Sequence, residues 1–356
     1  MKRKLFPRNV TTWVGALLAA ALLSACPQAD TNTRPGQATA PLSKPPAPGA
    51  PVAPQNLASR WREHHIPWGS GHRQLGFRAA GHESLAAGPA AVAILASGDP
   101  LVLDQLNRRV VRVNPEGSLS EIASVTSDVE DLAVDTDGAW AVFSPLRSNA
   151  WLHTAQGTLI GEIHVPRGLR DIVSLGFGSS RRLVVRNAFQ ETLTLGSPNA
   201  VAPFETILSG KREGAAFLPD GSGLAVQRSK EGRIDLIVLR QDAASGRSTV
   251  VRRMEVAANA TSARIVGATG QIVCIRVEHV ASNPEVQVTR EAICLQGDTG
   301  QHTLHTSLPA PGVYVPRTEF ALGGSPPRLV MLHPESEGLS VVALDPEATA
   351  SEERAP

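Results

Sequence analysis

From Gly71 onward the chain restarts one short phrase again and again: an apolar strand, a turn with glycine, a second apolar strand. It reads AAVAILASGDPLVLD (90–104), DLAVDTDGAWAVFSP (131–145), SLGFGSSRRLVVRN (174–187), AAFLPDGSGLAVQR (215–228), ARIVGATGQIVCIR (263–276) and EFALGGSPPRLVML (319–332). After the first two, further strands follow in LNRRVVRVNPEGSLSEIAS (106–124) and SNAWLHTAQGTLIGEIHV (148–165). Runs this short, β-branched and alternating read as strands, and no long helical period competes with them. The units recur at about 40 to 55 residues, close to the spacing of propeller blades. A single four-stranded sheet exposes two apolar faces, and radial packing of like sheets buries both. The expected fold is therefore all-β, a six-bladed β-propeller, with an open sheet or β-sandwich as the alternative. The last unit offers three strands, near 319–323, 328–333 and 339–345, so GHRQLGFRAA (71–80) is expected to supply the fourth and close the ring from the N-terminal side.

The first unit carries more than a skeleton. GPAAVAILASGDPLVLDQLNRRVVRVNPEG (88–117) resembles the NHL-type propeller repeat. Asp104, Asn107, Arg108 and Val110 answer to that family's D-x-x-N-x-R-V pattern, and Asn114-Pro115-Glu116-Gly117 answers to its turn. The resemblance is to the broad superfamily of NHL-like, lactonase-like and Tol-type propellers.

The front of the chain follows a different logic. Lys2, Arg3, Lys4 and Arg8 form a basic head, and Trp13 to Leu23 is an apolar run. The run is shorter than the roughly 20 residues that span a hydrocarbon core. It has the layout of a secretory signal. Leu23-Ser24-Ala25-Cys26 resembles a bacterial lipobox. That resemblance implies cleavage before Cys26 and a lipid on its sulfur. Pro27 stands where lipoproteins kept in the inner membrane often carry Asp, so the resemblance implies the outer membrane, on its periplasmic face or at the surface. Residues 26–57 are rich in Pro, Ala, Gly and Thr and hold no aromatic residue. Such a segment buries too little to order itself, and its prolines favour an extended tether. The expected organisation is a signal peptide over 1–25, a lipidated linker over 26–57, a propeller over 58–347 and a polar tail over 348–356. Without the signal the chain carries 30 basic and 33 acidic side chains, a net of −3. No basic face dominates, so nucleic acid is not an expected partner.

Two cysteines remain, Cys274 and Cys294, in the alternating runs IVCIRV and AICLQG. In an exported protein two remaining cysteines suggest a disulfide, with a free buried pair as the alternative. Acidic residues recur just before or at the start of the innermost strands: Glu130, Asp131, Asp171, Glu213 and Glu319, with Arg264 interrupting the series. In a ring these positions open on the channel mouth. Converging carboxylates raise one another's pKa and accept a hard divalent cation such as calcium. Lactonase-like propellers use a comparable metal cluster, though their asparagine ligands have no counterpart here. Solvated loop acids are the plainer alternative. Arg60 to His65 with His72 form a polar-aromatic cluster, but neighbours on a strand point apart and do not share an ion. No GxSxG and no GxGxxG supports a hydrolase elbow or a nucleotide site. The function expected is binding or scaffolding of an envelope protein or glycan. The alternatives are a metal-dependent lactonase-like hydrolase and an assembly factor or sensor for an envelope redox enzyme.

Overall fold

The computed structural model describes residues 62–165, 172–178, 182–197, 200–201, 212–218, 220–242, 247–270, 272–282 and 285–346. Every regular element among them is a strand, and the strands form six antiparallel sheets, the blades of a six-bladed β-propeller. Strand β1 (Arg62–Pro67) comes first. Blade 1 is β2 (Ala91–Ile94), β3 (Pro100–Asp104), β4 (Arg109–Val113) and β5 (Leu119–Ser124). Blade 2 is β6 (Asp131–Val134), β7 (Trp140–Ser144), β8 (Asn149–His153) and β9 (Leu159–His164). Blade 3 is β10 (Ile172–Phe177), β11 (Leu183–Asn187) and β12 (Glu191–Ser197), with β13 (Ala200–Val201) and β14 (Arg212–Glu213) both paired to β12. Blade 4 is β15 (Ala216–Phe217), β16 (Gly223–Arg228), β17 (Ile234–Gln241) and β18 (Ser248–Ala257). Blade 5 is β19 (Ser262–Thr269), β20 (Ile272–Ser282), β21 (Val286–Gln296) and β22 (His302–Leu308). Blade 6 is β23 (Phe320–Gly323), β24 (Arg328–Pro334) and β25 (Gly338–Leu344), completed by β1.

The sequence builds each blade by the same means. Second strands such as WAVFS in β7 are buried along their whole length, because both faces of the sheet meet a neighbouring blade. Outermost strands are mostly exposed, as LIGEIH is in β9 with Ile163 its one buried residue, because one face meets solvent. Glycine makes the tight returns where the backbone turns left-handed. At Gly157 φ is +90°, and a Cβ there would lie 2.2 Å from the Ile122 carbonyl oxygen. Only glycine fits that junction between blades 1 and 2.

The register sorts the connections onto two faces. Ala91 pairs with Leu103 and Ile94 with Pro100, so the innermost strand starts on one face and turns back at the other. The same order holds in blades 2 to 6. The face where innermost strands start, called upper here, also carries the loops joining second to third strands. The lower face carries the first and third turns of each blade.

The ring closes by antiparallel pairing of β1 with β25, from Arg62 opposite Ala343 to Pro67 opposite Gly338. The closing strand does come from the N-terminal side, but it is 62–67 and not 71–80. Leu75 is fully buried, yet residues 68–90 run as a strap on the upper face between β1 and β2. Trp68 stacks on Phe77 with ring centroids 4.9 Å apart, and Tyr314 lies 6.2 Å from Phe77. The strap is fastened by side chains, not by a ladder. REHHIP hides its strand character because it is outermost, and Ile66 is its one buried residue.

The motif in blade 1 also needs a correction. Arg109, not Arg108, occupies its arginine position: Arg109 Nε donates to Asp104 Oδ2 at 3.0 Å, and Asn107 Nδ2 donates to the same oxygen at 2.8 Å. Asp104 also accepts the Gly76 amide at 3.0 Å, which ties the strap to blade 1. Arg108 is the left-handed residue of the loop, at φ +56°. Ser148 and Gln190 repeat that conformation at the same loop position in blades 2 and 3.

Candidate functional site

The innermost strands bring Glu130, Asp131 and Glu319 to the upper mouth of the channel, and arginines meet them there. Asp131 opens β6 and is fully buried. Its Oδ1 accepts the Leu132 amide at 3.0 Å and the Thr318 hydroxyl at 2.7 Å. Its Oδ2 accepts the Leu175 amide of blade 3 at 2.6 Å. Burial pushes its carboxyl above the ordinary aspartate range, against these donors and the charge of Arg317. Asp131 thus pins blade 2 to blade 3 and to the segment entering blade 6. Glu130 accepts from Arg317 Nη1 at 2.7 Å, and Arg317 Nη2 donates to the Ile172 carbonyl at 2.9 Å. Glu319 accepts from Arg276 Nη1 at 3.0 Å and from Arg290 Nη2. Arg276 also reaches Glu278 at 3.3 Å.

Two further arginines complete the group. Arg186 Nη1 donates to the Ala215 carbonyl at 2.7 Å. Arg264, on β19, sits directly opposite Arg276 on β20. Burial, and then the charge of Arg276, pulls the Arg264 guanidinium below the ordinary arginine range. Burial does the same to Arg186, with Arg264 adding to it against the opposing pull of Asp131.

Asp171 lies outside the described residues, as does Cys26. Of Glu213 the structure describes the backbone, paired with Glu191. Among the described residues no group of three or more His, Cys, Asp or Glu is placed to hold a metal ion. The described acids of the expected ring have backbone, hydroxyl and guanidinium partners instead. Sequence reading missed this because Arg276 and Arg290 come from second and third strands, and Arg317 from a long connection.

Cys274 and Cys294 face each other across β20 and β21 and are joined by a disulfide, S–S 2.00 Å, in the core between blades 5 and 6. His64 and His65 do not share a partner: His65 lies 3.9 Å from Glu335, and His72 is exposed on the strap. Trp140 is fully buried and stacks on His153 at 4.0 Å, between blades 1 and 2.

The upper face has a second character. Twelve large hydrophobic side chains are exposed among the described residues, and eight stand on its loops or at the tip of a hairpin there. Leu146 (83% exposed) and Phe189 (72%) cap the loops of blades 2 and 3. Val280, Val286 and Val288 lie at the tip of the β20–β21 hairpin, which runs past the end of β22. Val313 and Val315 precede blade 6, and Leu85 tops the strap.

No family model matches the sequence, and no curated protein is similar to it. Solved structures with a similar trace include a streptogramin B lyase, 8% identical, covering 82% of this chain and 100% of its own, at a TM-score of 0.44. Virginiamycin B lyase from Staphylococcus aureus is 10% identical, over 80% of this chain and 99% of its own, at 0.43. A gluconolactonase from Xanthomonas campestris is 13% identical, over 79% and 97%, at 0.41.

Proposed function

We propose that this protein is an envelope-anchored binding module that docks a protein partner on its upper face. The observation that supports it is the concentration of exposed apolar side chains on that face. Single exposed hydrophobics are ordinary, but a set gathered on one face of a rigid scaffold has the character of a contact surface. Loops on a stiff frame suit recognition, since the frame fixes them while their sequences vary. The chain enters the described domain at Arg62, on the lower face, opposite the loops that carry these side chains. Cys26 would carry the lipid and residues 26–57 the spacer, with the outer membrane as the site of attachment. A hydrolase built on an acidic metal cluster finds no support in the partners that Glu130, Asp131 and Glu319 have.

The test compares faces. Cross-linking and pull-down from envelope membranes with the double variant L146D/F189D should lose a partner that wild type and I160D, on outermost strand β9, both recover. Equal recovery by all three would remove the upper face from the proposal. Separately, Cys26→Ala should move the protein from the membrane fraction to the soluble one; unchanged membrane association would remove the lipid anchor.

A further inference from the structure

We infer that the upper channel mouth is a site for an oxyanion, the carboxylate or phosphate group of a small ligand, with Arg264 as its principal contact beside Arg276 and Arg317. Arg264 and Arg276 are directly opposite in antiparallel register, so their side chains leave the same side of the sheet. Like charges in that relation oppose folding unless something lies between them. Arg276 and Arg317 have carboxylate partners. Arg264 has neither a hydrogen bond nor an ion pair among the described residues; its side chain is crowded by Arg276 yet still reaches solvent along part of its length.

A second observation is independent of that register. Arg290 packs beside Arg276, and both reach Glu319 and lie near the Phe320 ring. Its side chain is 2% exposed, yet Nη1 has no hydrogen-bond partner, Nε has only a long ion-pair contact with Glu278 at 3.8 Å, and the buried Nε of Arg317 has no hydrogen-bond partner. Buried donors left in this state are costly and rare. A guanidinium offers five donors in a fixed fork that matches the oxygens of carboxylate or phosphate. Around the mouth five arginines (186, 264, 276, 290, 317) meet four described carboxylates (Glu130, Asp131, Glu278, Glu319), and burial favours the neutral form of Asp131. The buried guanidinium donors without hydrogen-bond partners are what an anion would satisfy. Beside the buried side chains of Asp131 and Arg290 such contacts are stronger than on open surface.

The inference is independent of protein docking and is tested on the purified full chain alone. Chloride is replaced by inorganic phosphate in one series and acetate in another, at constant ionic strength, and melting temperature is followed. Wild type should show a saturable rise in at least one series, since a ligand of the folded state stabilises it. A rise with phosphate alone identifies a phosphate site, and with acetate alone a carboxylate site. R252Q, on outermost strand β18, should respond as wild type does. R264Q should bind about tenfold more weakly or worse, the loss of one charge-assisted contact. R264K keeps the charge without the fork and should fall between them. No saturable rise in wild type, or an equal rise in R264Q and R264K, would overturn the inference.

Discussion

Blade 4 has two faces, and they are held in different ways. Towards blade 5, Leu224, Leu236 and Val238 join a buried core with Ile265, Val273, Ile275 and Ile293. Towards blade 3, the buried apolar cluster among the described residues is Ala225, Ile237 and Leu239. Polar bonds take over there. The Gln190 side chain donates to the Val226 carbonyl at 3.0 Å and accepts the Val226 amide at 2.9 Å, as a strand would. Thr192 donates to the Gly214 carbonyl at 2.9 Å, and Arg186 to Ala215. Asp235, 1% exposed, lies on the same side of β17 and is bound by Arg233 and Arg253. Among the described residues one seam is closed by apolar area and the other mainly by directed bonds. Apolar packing tolerates small shifts, whereas directed bonds fix position and contribute less each.

Adjacent residues on β17 break or uphold this contrast most sharply. Leu236 is fully buried in the larger core, and Leu236→Ala should cost about 3 to 5 kcal/mol by denaturant unfolding. Ile237, one residue on, points to the smaller cluster, and Ile237→Ala should cost no more than about 2 kcal/mol. Equal losses would mean that the two seams are alike.

The seam between blades 1 and 2 supplies the next test, because it encloses a titratable group. Burial lowers the His153 imidazole from its ordinary 6.5 to about 4, offset in part by the nearby Trp151 backbone. The folded chain therefore keeps His153 neutral while the unfolded chain takes up a proton below 6.5. Stability should fall as pH drops from 6.5 towards 4, and above that window His153 should make no difference to the pH dependence. His153→Phe should flatten the fall by several degrees of melting temperature; an unchanged slope would show that His153 is protonated in the fold.

The smallest expected effect is at the polar seam. Gln190→Ala removes two bonds and leaves both Val226 groups unmatched, for a loss of about 1 to 2 kcal/mol. The Val226 amide should exchange with solvent faster in the variant, while Ile275 in the apolar seam is unaffected. A uniform change across the ring would deny Gln190 its local role.

The apolar seams were legible in the sequence, because strands buried on both faces announce themselves as unbroken apolar runs. WAVFS and RLVML need no partner to be recognised. The closing strand was less legible: REHHIP has one buried residue, Ile66, and its pairing with β25 is more than 260 residues distant, as the Trp68 to Glu335 bond shows. The channel mouth was legible by half. The acids stand at strand starts, where a periodic reading finds them. Their arginine partners are fixed by register, not by period: Arg317 meets Glu130 from 187 residues away. No local pattern carries that information.

The closing strand has a mechanical consequence. β1 begins at the lower face and ends at the upper, so its axis runs through the thickness of the ring. A pull on the residues before Arg62, resisted by whatever grips the opposite face, is directed along this axis. The ladder with β25 is then loaded lengthwise, and its six residue pairs share the force together instead of parting one at a time. A ring fastened this way resists being opened by tension on the strand that closes it.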